Sequence, residues 1–141
     1  MGKKTGLAGG FIIILFLLIV SCEKDKALSE VILGKWEVIS ITQITYENNI
    51  KKVESTLYFD PDEMKYQFID NGVGIFFNNE NDILFSWTLT GNQLVISKLF
   101  TKDLVADVSV KGSSLICTYI ENDKDISEIS YEIILTAKRI K

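Results

Sequence analysis

From Leu33 to the C-terminus the chain alternates with a period of two, and that alternation constrains its fold more than any other feature. Trp36, Val38 and Ser40 alternate with Glu37, Ile39 and Ile41. Val53, Ser55, Leu57 and Phe59 alternate with Glu54, Thr56 and Tyr58, and Met64, Tyr66 and Phe68 with Lys65, Gln67 and Ile69. Phe85, Trp87 and Leu89 face away from Ser86 and Thr88, and Leu94 and Ile96 follow. Leu104, Ala106, Val108 and Val110 oppose Asp103, Asp107, Ser109 and Lys111; Leu115, Cys117 and Tyr119 come next. The last segment sets Ile129, Tyr131, Ile133, Leu135 and Ala137 against Ser130, Glu132, Thr136 and Lys138. Successive side chains of a strand point to opposite faces, so these are strands with one apolar and one wet face.

Turn signals punctuate them: Asn48-Asn49, Asp70-Asn71-Gly72, Asn79 to Asp82, Gly91-Asn92, Gly112-Ser113 and Asn122-Asp123. Asn and Gly tolerate the positive φ that tight hairpins demand. Runs of roughly five to ten residues joined this tightly pair as an antiparallel meander. About eight or nine such strands leave two raw edges unless the sheet closes, so an all-β, up-and-down barrel of about eight strands is the expected fold. The single proline, Pro61, falls in the Asp60-Pro61-Asp62 turn and not in a strand. Before the first strand, Leu28, Val31 and Ile32 at helical spacing predict one turn of helix.

The N-terminus is of another kind. Lys3 and Lys4 precede Phe11 to Val20, an unbroken ten-residue apolar run. Spanning a bilayer takes about 20 apolar residues, whereas runs of roughly 10–14 read as signal-peptide cores. Ile19-Val20-Ser21-Cys22 follows at once and resembles the lipobox of bacterial lipoproteins. The resemblance implies cleavage before Cys22, diacylglycerylation of its thiol and acylation of the new amine with chains such as palmitate. Several acyl chains, at about 0.8 kcal/mol per buried CH₂, suffice for stable anchoring. An uncleaved N-terminal anchor is the alternative. The expected division is therefore a signal peptide over 1–21, a lipidated cysteine and tether over 22–32, and the barrel over 33–141. Glu23-Lys24-Asp25-Lys26 partly resembles the charged stretch behind the lipidated cysteine of surface-exported lipoproteins of the Bacteroidota, and equally fits a solvated tether. The expected location is the outer membrane, with the leaflet open.

Charge and composition remove several functions. Losing Lys3 and Lys4 takes the net charge from −4 to −6, with the basic residues scattered. A nucleic-acid binder needs a clustered basic face to displace phosphate counterions, so none is expected. There is no histidine, the commonest acid–base group near neutral pH and the commonest transition-metal ligand. With Cys22 lipidated, Cys117 has no disulfide partner and reads as a buried thiol. Asp60, Asp62 and Glu63 cluster in one turn, but acidic loops are usually solvated. Asp123-x-Asp125 lacks the glycine and the closing glutamate of a calcium loop. No nucleophile elbow, phosphate loop or dinucleotide fingerprint occurs. Neither enzyme, metal nor cofactor is expected.

Gly34-Lys35-Trp36 opens the first strand and resembles the Gly-x-Trp signature of lipocalins, in which the tryptophan closes one barrel end under a basic residue from the last strand. Arg139 shares parity with Leu135 and Ala137 and is the expected partner of Trp36. Tyr66-x-Phe68, Gly72-x-Gly74 and Phe85-x-Trp87 complete a likeness to small lipocalin-like lipoproteins of the Bacteroidota, covering about residues 33–141. The likeness implies a membrane-tethered barrel binding a small hydrophobic ligand, with Tyr66, Phe68, Phe85, Trp87, Tyr119 and Tyr131 lining the pocket. The same aromatics could instead fill the barrel. The rival reading is then a solid interaction module, or an inhibitor of an envelope hydrolase, that docks a protein partner. Outward apolar residues such as Ile39, Ile41, Ile69 and Ile134 support it where they form one patch.

Overall fold

The computed structural model describes residues 26–141. The expected signal peptide, Cys22 and the first part of the expected tether lie outside them. One helical turn, α1 (Leu28–Val31), leads into nine antiparallel strands. They are β1 (Gly34–Glu47), β2 (Ile50–Tyr58), β3 (Met64–Ile69), β4 (Val73–Asn78), β5 (Asp82–Thr90), β6 (Gln93–Ser97), β7 (Leu104–Lys111), β8 (Ser114–Asn122) and β9 (Ile129–Ile140). Eight of them, all but β2, close into a barrel when β9 returns to pair with β1.

Strand β1 governs this closure because it has three partners. Along one edge it pairs with β9 from Lys35 to Glu47. Its other edge is divided: Gly34–Glu37 pair with β3, and Ser40–Glu47 pair with β2. The division follows from the Asn48-Asn49 turn, whose residues both have positive φ (50° and 64°). That geometry folds β2 straight back onto β1 and leaves β3 only the first turn's worth of edge. The barrel is thus closed around its α1 end, and beyond it β2, β1, β9 and β8 continue as a projecting blade.

Two sequence expectations fail here. A register shift between Val38 and Ser40 inserts one extra residue in β1, so Ile41, expected outward, sits beside Leu135 on the inward face. Strand β2, expected to bury one apolar face, is exposed throughout, because it lies on the blade and not in the barrel wall. The run Val73–Asn78, in which Ile75, Phe76 and Phe77 mask the alternation, forms β4, a strand the period-two reading did not single out.

The α1 end is sealed by residues from both chain ends. Trp36 and Ile32 are fully buried, and the Trp36 indole N–H donates to the Ile32 carbonyl at 2.7 Å. The Arg139 guanidinium lies 4.2 Å from the Trp36 ring centroid and donates to the carbonyls of Leu33 (2.8 Å) and Val31. It thereby satisfies carbonyls at the helix end and stacks on the ring in one geometry. Gly34 makes the approach feasible: its φ is +115°, and a Cβ there would lie 3.1 Å from the Arg139 guanidinium. Replacing Arg139 by alanine removes the stacking and two charge-assisted hydrogen bonds, and should lower stability by about 1–3 kcal/mol in urea denaturation. Lysine, lacking the planar fork, should recover less than half of that loss.

Candidate functional site

The barrel interior is built from the inward residues of every barrel strand. On the β3–β5 side it is a linked group of rings. Phe68 meets Phe85 edge-on (5.8 Å, 78°) and Trp87 edge-on (5.4 Å, 89°), and Tyr66 packs against Phe76 (4.9 Å) and Phe85 (6.1 Å). Edge-to-face contacts of this kind add to the burial of the rings themselves. Gly74 admits this density, since a Cβ there would come within 2.1 Å of the Phe85 ring. Trp87 also spans the wall, its indole N–H donating to the Val73 carbonyl at 2.8 Å.

Across the barrel the lining is aliphatic: Leu94, Ile96, Ala106, Leu115 and Leu135. Between the two halves remains a cavity of about 30 Å³, bordered by Tyr66, Phe68, Cys117 and Tyr119 among others. About one water occupies that volume, whereas ligand pockets run to roughly 300–1,000 Å³. Of the six aromatics expected to line a pocket, Tyr66, Phe68 and Tyr119 border the cavity. Phe85 and Trp87 are packed into the core behind it. Tyr131 stands apart on the blade, its hydroxyl donating to Asp123 at 2.6 Å. The aliphatic lining shared the same parity in the sequence, but nothing distinguished it from ordinary core.

Charged groups are spent on the walls. Glu37 is buried on the outer face, accepts the Asp62 N–H at 3.0 Å and meets Lys138 at 3.3 Å. Asp62 pairs with Lys65, which holds its carboxyl below the ordinary range, and Glu63 accepts the Asp60 N–H. The Tyr131 hydroxyl, helped by the Asp125 and Ile126 N–H groups that Asp123 accepts at 2.9 Å to cap its own loop, holds the Asp123 carboxyl below its ordinary range. Among the described residues no three His, Cys, Asp or Glu side chains are grouped to hold a metal.

A second opening lies in the wall itself. The β7–β8 ladder ends at the pair Asp107–Thr118. Above it β7 continues paired with β6 as far as Leu104, and β8 continues paired with β9 as far as Asn122. The strands part there, leaving a cleft of about 190 Å³ lined by Gln93, Val105, Ala106, Asp107, Thr118, Tyr119 and Ile120. Ala106 and Tyr119 border both this cleft and the interior cavity, and so form the partition between them. The inward positions Leu104, Ala106, Cys117 and Tyr119 keep their parity through this point, while apolar Val105 and Ile120 on the outward face depart from the alternation. No family model, curated protein or solved structure matches the chain.

Burial pushes the Cys117 thiol up to about 12 and raises Tyr66 in the same direction. A thiol kept protonated by the fold contributes stability that is complete below its unfolded value of 9.0 and is lost as pH rises toward about 12. The urea midpoint should therefore fall between about pH 8 and about pH 10.5, and Cys117→Ala should flatten part of that fall. A fall of equal steepness in the variant would show that the thiol titrates without hindrance.

Proposed function

We propose that this chain is a bacterial lipoprotein held to the outer membrane by acyl chains on Cys22, and that its lipocalin-like barrel docks a protein partner of the cell envelope. The observation that carries the docking reading is the interior: about 30 Å³ of space admits a water but no lipid-sized ligand. What the fold offers instead is surface. Ile83, Leu84, Phe100, Ile120 and Ile126 are exposed, and all belong to the end away from α1. Val53 and Leu57 on β2 are exposed on the blade as well.

The tether supports the same orientation. Five residues lie between Cys22 and the start of α1, a reach of at most about 20 Å over six steps. Lipid on Cys22 would therefore hold the sealed end near the membrane. The Asn48-Asn49 turn, twelve residues beyond Trp36 along β1, would stand further out by up to about 40 Å of strand. A surface so placed meets proteins and not the bilayer. Inhibition of an envelope hydrolase is one form that such docking takes. The second reading, a carrier of a small hydrophobic molecule, draws on the apolar border of the cavity by Tyr66, Phe68 and Tyr119, and requires those rings to move aside.

Labelling cells with a palmitate analogue tests the anchor: the chain should carry label and sediment with outer membranes, and Cys22→Ala should do neither. A variant that stays membrane-bound and unlabelled would mean an uncleaved anchor. A photo-crosslinking side chain at Leu57 or Ile126 should give a discrete protein adduct in cells, and one at Ser109, on the wall near the sealed end, should not. Failure at both positions, together with a retained mass of a few hundred daltons in native mass spectrometry, would replace docking by ligand carriage.

A further inference from the structure

We infer that the split between β7 and β8 is an acceptor slot for an extended, basic segment of the partner, which adds to the free edge of β8 as a further strand and drops one apolar side chain into the cleft. The inference rests on the docking reading and names the contact it would use.

Hydrogen-bond parity supplies the first support. Asp123 donates to the Ile129 carbonyl and Arg139 donates to the Ser113 carbonyl, so the odd-numbered residues of β8 turn their backbone groups toward β9. Registration between β8 and β9 is unbroken from Ser114 to Asn122, so Ile120 and Asn122 turn theirs toward the gap. Val108 donates to the Asn92 carbonyl, so the even residues of β7 face β6, and Val105 faces the gap from the other side. In the register of Asp107–Thr118, Val105 and Ile120 would be the next pair so oriented. Among the described residues neither has a strand opposite it. Unpaired backbone donors and acceptors aligned along an edge are the template for strand addition.

Shape and charge identify the occupant. A cleft of about 190 Å³ compares with the engineered cavity of about 150 Å³ that accepts benzene, so one branched or aromatic side chain fits. Val105 and Ile120, 48% and 70% exposed, would pack around it. The only charged lining residue is Asp107, and Glu121 follows Ile120 on β8, so the rim favours lysine or arginine on either side of the apolar residue. The β2 edge, by contrast, is guarded. β2 carries a register irregularity opposite Thr45 and Tyr46, with Lys51 and Lys52 at that point and Lys51 paired to Glu54. Bulges and lysines are the usual means of blunting an edge, and the β8 edge has neither.

The test is fluorescence anisotropy on the full chain in a neutral detergent, with a labelled, end-blocked hexapeptide alternating lysine and valine. Saturable binding is expected, weakened about tenfold or more by Asp107→Lys and by Ile120→Pro, which removes the gap-facing N–H while sparing the β9 ladder. The same peptide with N-methylated backbone amides should not bind, which keeps the proposal testable if the proline variant misfolds. No saturable binding, or affinity unchanged in Asp107→Lys and in the N-methylated peptide, overturns it. So does a result in which these substitutions instead block uptake of a small apolar dye, for the cleft would then be a side entrance to the interior. Loss of peptide binding alongside retained crosslinking at Leu57 would discard the slot and leave the docking reading standing.

Discussion

Strand β1 is bound on both edges along most of its length, and most of the molecule's shape follows from how those edges are shared. A closed barrel removes the exposed strand edges of a flat sheet, but only over the length on which every strand has two neighbours. β1 and β9 are longer than the rest, and they run together past the point where β3 ends. Beyond that point the second edge of β1 is free for β2, and the sheet opens into a blade. The one-residue shift at Val38–Ser40 belongs to the same junction, since it turns the strand as it leaves the barrel and moves Ile41 onto the inward face.

The two ends of the molecule consequently differ in kind. At the α1 end, Trp36, Ile32 and Arg139 bind the start and finish of the chain into one plug, with the backbone carbonyls there supplied with donors. At the far end the strands separate, and Val105 and Ile120 on the outer wall and Val53 and Leu57 on the blade are exposed. Within the barrel, rings on one side and aliphatic chains on the other meet with almost no space between them. Gly74 permits this by letting Phe85 cross where any side chain would collide. A core packed to that density leaves about 30 Å³ between the two halves.

The barrel was legible because alternation and turn chemistry are local. Trp36 with Arg139 was legible because strand parity and a family likeness both pointed to the pairing, which the structure forms. The single helical turn at Leu28–Val31 was also legible. What escaped was non-local. The apolar alternation of Val53, Ser55 and Leu57 looks the same whether the strand lies in a wall or on a projecting blade. Tyr131 has the inward parity of Ile133 and Leu135, yet it lies past the end of the closed region and hydrogen-bonds to Asp123.

Sequence alone determined the class of fold, the number of strands to within one and the sealed end, because each follows from period and turn residues. Tertiary structure alone decided which strands close the barrel, that the interior is filled, and that the wall splits between β7 and β8. Those outcomes depend on strand length relative to neighbours and on how side chains from eight strands share one volume. No window of consecutive residues records either quantity.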